Sequence, residues 1–579
     1  MDLAISADPA LSLPPGLSGT VPLGRLARAE LEIPIEAVAV ADAAVTIRLT
    51  TPDGTELAKR HVLGVRAYDP EIARSSRIPL AAVDGRLVLD EEAFDGIIPG
   101  TGRATLALGP FARFDAPGLL AALDRYPYGC TEQITSRALP LLYVGAVARA
   151  MGLVDPSGRK GTQTDTLERR IAQAVEAVLA NQAAAGSFGL WRPGSGDLWL
   201  DAYVTDFLSR ARGLGHTVPD TAFRLAVQNL RNRINYASDF ERGGEGIAYA
   251  LMVLARENAA SIGDLRYYAD QKAEDFATPL AQAQLGLALA YYGDQPRADA
   301  MFRLAGAGFE DEDDFAWRVD YGSRSRDAAA ILTLAVEARS EVLDRRRLTR
   351  IALPRAGRLR SRSTQENAWT LMAAHALIDR SDGLGLMVDG RPMEGPLVRL
   401  FEPGDGQVVI ENTGPEQVDA TLTVFGVPDQ PEPAGGDGYK IERAYYTLDG
   451  TPADLAAVPR STRLVAVLTV TPERDSEARL MVNDPLPAGF EIDNPNILRA
   501  GDVSALDWLD LPEVAQHTEF RAERFLAAVD WRGTSPFRLA YIVRAVSPGS
   551  FHHPAASVED MYRPIFRART DAGRLVVQE

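Results

Sequence analysis

The hydrophobic periodicity of this 579-residue chain changes twice, from strand-like to helical and back again. Residues 1 to about 112 alternate as half-buried strands do, most clearly at 44–49 and 103–108. From about 116 to 380 the apolar residues recur with the helical period, and strand patterns return after that point. The chain must therefore combine a large helical block with β structure on both of its sides.

The helical block reads as roughly a dozen segments separated by short loops of glycine, proline and aspartate. Thr278 is a predicted N-cap, and Pro279 follows at the first helical position, where its missing N–H is not needed. Such an array predicts helical hairpins packed side by side. The clearest apolar stripes lie at 167–179, 223–234, 278–292, 328–338 and 366–378.

The β regions permit two architectures, because the helical block is either a separate domain or an insertion that splits one β domain. Short strands with frequent turn residues are typical of β-sandwiches. The segment 428–438, rich in Pro, Gly and Asp, is predicted to be a linker or a long loop. The later strands are predicted at 407–410, 420–424, 464–470, 479–482 and 537–543.

The only cysteine of the chain, Cys130, precedes Gln133 by three positions at the predicted start of a helix. Residues three apart share a helix face with Cβ atoms about 5–6 Å apart, so the sulfur can reach the Gln133 carboxamide. Attack there with loss of ammonia gives an internal thioester, which is an activated acyl group. Gly129 is predicted to allow a sharp turn and a close approach, and Thr131 to be the N-cap of a helix whose N-terminus favours a thiolate.

Other interpretations of this segment stay open at the level of residues. Tyr126 and Tyr128 flank it with rings that are predicted to keep water from the bond. A lone cysteine is also commonly a small buried apolar residue. Alternatively, Cys130 is the nucleophile of a cysteine acyltransferase, which would need a histidine as its base. His375 is predicted on an amphipathic helix, where a half-buried structural histidine is common, and His216 in a surface loop.

The string from Tyr126 to Ser136, with Gly-Cys-Thr-Glu-Gln inside it, resembles the thioester signature of the α2-macroglobulin and complement family, and its bacterial branch in particular. The resemblance implies a multidomain α+β fold in which an α/α toroid thioester domain is inserted in, or flanked by, CUB-like and macroglobulin-like β-sandwich domains. The string is highly specific, and the likeness continues at 199–204, 320–323, 363–366, 486–491 and 561–562.

The resemblance also implies where the domains lie. The toroid is expected at 116–380, between two parts of a CUB-like β domain at 66–115 and 381–436. Macroglobulin-like β-sandwiches are expected at 1–65 and 437–579. Relatives are longer, so this sequence resembles their C-terminal portion, and no bait segment or further N-terminal macroglobulin-like domain is recognisable in it.

A function is implied in the same way. The resemblance implies a bacterial endopeptidase inhibitor, not an enzyme, that traps proteases covalently in host defence. A protease cuts a bait segment, shielding domains move, and a lysine amine of the protease attacks the Gln133 acyl group. Met561 and Tyr562, in the last β domain, are implied to shield the Cys130–Gln133 thioester. The alternative within this chemistry is an adhesin whose thioester couples to surface amines.

Composition limits the partners and the location. A net charge of −18 argues against nucleic acid as a main partner. The six histidines show no pair with the spacing of a zinc protease, and Cys130 has no second thiol, so no metal and no other cofactor is expected. The first residues do not read as a signal peptide. The family resemblance implies a periplasmic or inner-membrane-anchored parent protein, and we expect a monomer.

One further set of residues suggests a different activity. Aromatic and acidic side chains in the helical block are similar to the cavity of α/α toroid glycosidases, in which paired carboxylates act as acid and base. The acids show no diagnostic spacing, however, and helix packing accounts for the aromatics. The set comprises Trp191, Asp197, Trp199, Asp201, Tyr203, Trp317, Asp320, Tyr321 and Trp369.

Overall fold

The structure is a computed structural model. It describes residues 1–22, 28–67, 69–125, 128–145, 164–237, 240, 243–309, 316–353, 362–377, 385–393, 397–475, 477–495, 501–509 and 511–579. Within these ranges the chain runs from strands through helices and back to strands, as the hydrophobic periodicity predicts. No helix within these ranges is long and apolar enough to cross a membrane.

The strands before the helices belong to two units. In order they are β1 Asp2–Ala7, β2 Leu11–Ser12, β3 Gly19–Thr20, β4 Glu36–Ala37, β5 Ala41–Thr50, β6 Glu56–Val65, β7 Ile72–Leu80, β8 Gly85–Leu89 and β9 Arg103–Leu108. An antiparallel sheet in the order β3-β1-β5-β6 and the pair β2-β4 form the first unit. Its small core includes Leu11, Ala43 and Val45.

The described helices follow β9. They are α1 Pro110–Phe114, α2 Ala116–Arg125, α3 Thr131–Ala138, α4 Thr164–Ala180, α5 Leu198–Gly213, α6 Asp220–Asn235, α7 Glu245–Arg256, α8 Ile262–Gln271, α9 Pro279–Tyr291, α10 Gln295–Ala307, α11 Arg324–Glu337, α12 Arg345–Ala352 and α13 Thr364–Leu377. The predicted start of α9 is confirmed, because Thr278 caps it by accepting from the N–H of Ala281, and Pro279 occupies its first position.

Six of these helices close into a ring. Helix α3 packs on α5, α5 on α7, α7 on α9, α9 on α11, α11 on α13, and α13 returns to α3. The helices of this inner ring are buried on almost every side, for example α9 from Pro279 to Leu289, whereas outer helices such as α6 and α10 keep an exposed face. The fold is the α/α toroid that the resemblance implies.

The inner helices begin at the same end of the toroid. Trp199, near the start of α5, contacts Tyr249 in α7 and Tyr321 just before α11, with ring centroids 5.5 and 5.2 Å apart. Glu132, in the first turn of α3, receives a hydrogen bond from Thr364 at the start of α13. This end of the toroid therefore carries the segment around Cys130.

Strands from both sides of the toroid build one β-sandwich. They continue with β10 Leu386–Val388, β11 Arg391–Met393, β12 Val398–Phe401, β13 Val408–Asn412 and β14 Val418–Gly426. One sheet has the order β11-β10-β13-β8 and the other β12-β9-β14-β7, so strands more than 290 positions apart are neighbours, as in the pair Val424–Ala104. The helical block is thus an insertion in this sandwich. The limits 66–115 and 381–436 stay predictions.

The last unit is a larger β-sandwich. Its strands are β15 Gly435–Asp437, β16 Tyr439–Thr447, β17 Val458–Pro459, β18 Arg463–Pro472, β19 Glu477–Pro485, β20 Phe490–Ile492, β21 Ala515–Phe520, β22 Arg524–Arg532, β23 Phe537–Ala545, β24 Gly549–His553, β25 Ser557–Asp560, β26 Arg567–Arg569 and β27 Gly573–Gln578. They form the sheets β15-β26-β25-β19-β22-β21, β16-β18-β23-β20 and β17-β27-β24. The loop after β25 carries Met561 and Tyr562.

The predicted linker at 428–438 is wrong over its last residues. Gly435–Asp437 form β15, which pairs with β26. A Cβ on Gly436 would lie 2.5 Å from the Cβ of Ala568, so the glycine allows the two strands to approach. The glycines of this segment were part of the reason for predicting a loop, but in the structure Gly436 permits a strand pairing.

Candidate thioester site

Cys130 and Gln133 are joined across the start of α3 by a capping box. Cys130 is the N-cap residue, with extended backbone at φ −68° and ψ 161°. Its side chain accepts from the backbone N–H of Gln133, and its own backbone N–H donates to Gln133 Oε1 at 3.3 Å. The carboxamide therefore folds back over the cysteine, as the three-residue spacing predicts.

The predicted N-cap, Thr131, is wrong by one position. Thr131 is the first residue of α3, and its hydroxyl donates to the carbonyl oxygen of Gly189 at 2.6 Å. The same hydroxyl accepts from Asn181 Nδ2 at 2.9 Å. Its polar group is therefore already used in holding α3 to the loop after α4, which leaves the cap to the cysteine.

The structure does not show the close approach that was predicted to require a glycine at position 129. Among the described residues, a Cβ placed on Gly129 would meet no atom within 4 Å, and its φ lies outside the left-handed region. Gly129 is exposed, whereas Cys130 next to it is completely buried. The close approach thus comes from the capping box and not from the missing side chain.

Burial decides the protonation state of the thiol. Cys130, Glu132 and Gln133 are each 0% exposed. Burial, and after it the charge of Glu132, raises the pKa of the Cys130 thiol above its ordinary value, although the backbone N–H of Gln133 works in the opposite direction. The predicted stabilisation of a thiolate by the helix N-terminus is therefore outweighed.

The two ends of the Gln133 carboxamide are held by different groups. The N–H of Cys130 points to Gln133 Oε1, the atom on which negative charge develops when a nucleophile adds. On the other side, Gln133 Nε2 donates to Met561 Sδ at 3.4 Å. The oxygen is thus bound within the capping box and the nitrogen by the last β domain, while Cys130 Sγ accepts from the backbone N–H of the same glutamine.

Met561 and Tyr562 cover the pair from the last β domain. They are 2% and 8% exposed, and they pack in the same apolar cluster as the inner helices of the toroid. The Tyr562 hydroxyl lies 3.9 Å from Cys130 Sγ, and the backbone N–H of Met561 donates to the carbonyl oxygen of Arg479 at 2.9 Å. The structure therefore places Met561 and Tyr562 against Cys130 and Gln133, and their role in shielding a thioester stays a prediction.

Of the two tyrosines of the motif, the structure describes only Tyr128, and the predicted shielding role of both stays a prediction. Tyr128 is 8% exposed and packs in the same cluster as Met561 and Tyr562. Burial raises the pKa of Tyr128, so its ring lies in an apolar environment. Tyr126 lies outside the described residues, and its predicted role stays a prediction.

Further contacts fix the last β domain on this end of the toroid. The Arg479 guanidinium lies 4.3 Å over the ring of Tyr321, and Tyr321 meets Tyr562 edge-on with centroids 4.8 Å apart. Trp191 of the toroid stacks on His517 of the β domain at 4.8 Å. The cover over Cys130 is therefore one part of a wider domain contact.

The sequence and the structure of the chain match proteins of one family. A family model described as Bacterial Alpha-2-macroglobulin MG10 domain matches residues 438–564, and one described as A-macroglobulin TED domain matches residues 105–236. The α2-macroglobulin of Escherichia coli K12 is 28% identical over 100% of this chain and 36% of that protein. That of Xylella fastidiosa strain Temecula1 is 28% identical over 95% and 35%.

Two solved structures agree along the whole chain. The E. coli α2-macroglobulin segment from domain MG7 to the C-terminus gives a TM-score of 0.85 at 26% identity and covers 100% of this chain and 94% of that one. Salmonella α2-macroglobulin reacted with methylamine gives 0.81 at 28% identity, covering 100% and 38%. Along its whole length the chain is therefore similar to the C-terminal portion of bacterial α2-macroglobulins. It spans little more than a third of the length of its full-length relatives.

One important residue of this candidate site was not predicted from the sequence. Glu132 lies between Cys130 and Gln133 in the family motif, yet no role was assigned to it. Its carboxylate accepts from Gln365 Nε2 at 2.7 Å, from the Tyr562 hydroxyl at 3.1 Å, and from further hydroxyls of Ser136 and Thr364. Polar residues at the start of the otherwise apolar α13 are the signal that could have indicated a buried acceptor.

The cysteine acyltransferase alternative needs a histidine beside Cys130, and the described residues show none bonded to it. In the described part of the chain, Cys130 bonds to Gln133 and Tyr562. His375 packs on Tyr143 with centroids 5.4 Å apart. No group of three or more His, Cys, Asp or Glu residues that could hold a metal ion is found in the ranges that the structure describes.

The carboxylates that suggested a glycosidase have structural partners. Asp197 caps α5, and Asp201 accepts from the backbone N–H of Phe188 at 2.6 Å and from Asn229 at 2.8 Å. Asp320 pairs with Arg318 and Arg326, both at 2.7 Å. Each acid is thus satisfied within the toroid, and Trp199 packs against Tyr203 and Tyr321.

Proposed function

We propose that this chain is the reactive C-terminal portion of a bacterial α2-macroglobulin-like protease inhibitor, in which Cys130 and Gln133 form the thioester that captures a protease. The observation that carries the proposal is the buried Cys130–Gln133 capping box under Met561 and Tyr562. A lysine amine of the protease attacks the Gln133 acyl group, which leaves an amide and a free Cys130 thiol.

Burial explains how such a group is kept until it is needed. An activated acyl group persists only where water and amines are excluded. The cover belongs to a separate β domain, which can move away as a rigid body and expose the bond. The bait segment and its cleavage are proposed for the longer protein, since the chain spans 36% of the E. coli relative.

The same chemistry makes the protein an inhibitor and not a turnover enzyme. The acyl group of Gln133 ends in an amide bond to the target, so each chain reacts once. We extend to this protein the remaining family expectations, namely a monomer that is periplasmic or anchored to the inner membrane and that acts in host defence. One relative supports the amine specificity, because Salmonella α2-macroglobulin is described as reacted with methylamine.

Exposure to amines and proteases tests the proposal. Methylamine should free one thiol per chain and leave Gln133 about 14 Da heavier than an unmodified glutamine. In a separate sample of the longer protein, which carries the proposed bait segment and has not met methylamine, an active protease should form a conjugate that survives denaturation and reduction. The same protease with a blocked active site should not. Equal coupling to both forms would favour the adhesin alternative, and no thiol release with methylamine would contradict the thioester.

A further inference from the structure

A chain of hydrogen bonds leads from the Cys130 thiol to a buried carboxylate. The Tyr562 hydroxyl lies 3.9 Å from Cys130 Sγ and donates to Glu132 Oε2 at 3.1 Å. An ionised carboxylate only accepts, so the phenolic proton points to Glu132 and the lone pairs of the phenol oxygen remain for the thiol proton. The direction of the chain is therefore from sulfur to carboxylate.

The groups around Glu132 are hydrogen-bond donors, as an ionised carboxylate that accepts a proton requires. Besides Tyr562, the groups that donate to it are the hydroxyls of Ser136 and Thr364 and the amide of Gln365. These donors are all neutral, and they favour the ionised form of the carboxyl. Burial works in the opposite direction and raises the pKa of Glu132, which makes it a stronger base than an exposed carboxylate.

Closure of the ring needs such a base. Burial raises the pKa of the Cys130 thiol, and a neutral thiol is a poor nucleophile. The carboxamide nitrogen also leaves only as ammonia, so it must gain a proton. A group that takes the thiol proton and later returns it serves both steps.

We propose that Tyr562 and Glu132 are a proton relay that catalyses formation of the Cys130–Gln133 thioester, an inference that rests on the proposed function. As Sγ bonds to the Gln133 carboxamide carbon, the thiol proton passes to the Tyr562 oxygen and the phenolic proton passes to Glu132. Negative charge gathers on Oε1 beside the N–H of Cys130.

The second half of the step restores the relay. The bond from the carboxamide carbon to Nε2 breaks, and the nitrogen gains the proton that returns from Glu132 through Tyr562. Thiol and carboxamide become thioester and ammonia, with no change in either relay residue. Tyr562 is then a catalytic residue for closure, and Glu132 is a positioning residue that acts through it.

The relay and the shield make different predictions for Tyr562→Phe. The phenylalanine keeps the ring that packs edge-on against Tyr321, so an existing thioester should stay covered. It lacks the hydroxyl, so closure should be slower by about 100-fold, the lower end of the range for general acid–base catalysis. Glu132→Gln should slow closure to a similar degree, and combining the two changes should add little further loss.

The experiment follows closure in the full chain. The protein is made in a cell-free system, synthesis is stopped, and samples are denatured in acid at intervals. Intact mass then separates closed chains from open ones, since closure removes about 17 Da. Tyr321→Phe is the matched control, because it also removes one buried phenol hydroxyl, at a position whose hydroxyl donates to Asp197 and not to Glu132. It should close at the parent rate.

Two readouts keep the outcomes distinct. Slow closure with an unchanged lifetime of the finished thioester, in chains that resist limited proteolysis like the parent, supports the relay. The relay would be overturned if Tyr562→Phe formed the thioester at the parent rate. It would also be overturned if the finished thioester of this variant lost as large a factor in lifetime as closure lost in rate, since the residue would then act as a shield. A parent chain that never loses the 17 Da would instead contradict the proposed function.

Discussion

Gln133 Nε2 donates to Met561 Sδ over 3.4 Å, although the two residues are 428 positions apart. The nitrogen that must leave during ring closure is therefore in direct contact with the last β domain. The contact lies between the start of α3 and the loop after β25, two elements of different domains. The proposed reactive group of one domain is thus covered by a flexible apolar side chain of another, which fills the irregular space over it.

Met561→Ala should expose the bond. Replacing a buried methionine by alanine costs about 2–5 kcal/mol of stability where the surrounding structure does not collapse. Each 1.4 kcal/mol by which the closed domain contact is weakened raises the equilibrium constant for its opening about tenfold. We therefore expect methylamine to release the Cys130 thiol at least about tenfold faster than in the parent, with spontaneous hydrolysis also faster. Thiol release timed in parallel measures both rates.

Met481→Ala is the control for this prediction. Met481 is also a buried methionine, 3% exposed, in the same apolar cluster, but its sulfur is not the one that contacts Gln133. Met481→Ala should weaken packing to a similar degree as Met561→Ala, but it should increase the rate of thiol release by methylamine clearly less. If both variants accelerate thiol release equally, Met561 contributes only to the domain contact and not to a specific cover.

Cys130→Ala should abolish the reaction with methylamine and leave the toroid folded. The side chain is buried but small, so the change should lower the free energy of unfolding by about 0.5–3 kcal/mol, the usual range for a point mutation. Labelled methylamine and circular dichroism measure the two effects. Continued labelling of the variant would mean that another residue carries the acyl chemistry.

The carboxyl of Asp201 should make stability depend on pH. Burial raises its pKa from 3.8 to about 6. Because the pKa of Asp201 is higher in the folded than in the unfolded state, its protonated carboxyl stabilises the fold fully below about pH 3.8. That stabilisation is lost as the pH rises through about 6. Relative to Asp201→Asn, the parent should therefore lose at most about 3 kcal/mol of unfolding free energy across that window. Urea unfolding of both proteins at several pH values tests this, and parallel curves would contradict it.

Local patterns predicted the elements well. The strand expected at 103–108 is β9 Arg103–Leu108, and the helix expected at 278–292 is α9 Pro279–Tyr291 with its predicted cap. Both are set by alternation or periodicity within a few residues of sequence. The pairing of β9 with β14 is set by chain segments hundreds of positions apart, so the pattern left insertion and separate domains equally open.

The site was predicted in part for a similar reason. The spacing of Cys130 and Gln133 placed their side chains together, and the resemblance indicated Met561 and Tyr562. The cap was misplaced because threonine is one of the residue types that favour an N-cap, whereas tertiary bonds to Gly189 and Asn181 engage the hydroxyl of Thr131. The thiol pKa was misjudged because local sequence contains the helix end but not the burial.

The mass of the freshly prepared native chain tests the central claim most directly. If Cys130 and Gln133 form a thioester, intact mass spectrometry under acidic denaturing conditions should find the chain about 17 Da lighter than its sequence, because ammonia has left. The native protein should show no titratable thiol before an amine is added. A chain of full sequence mass with a thiol that titrates at once on unfolding, in a preparation never exposed to amines, would contradict the account.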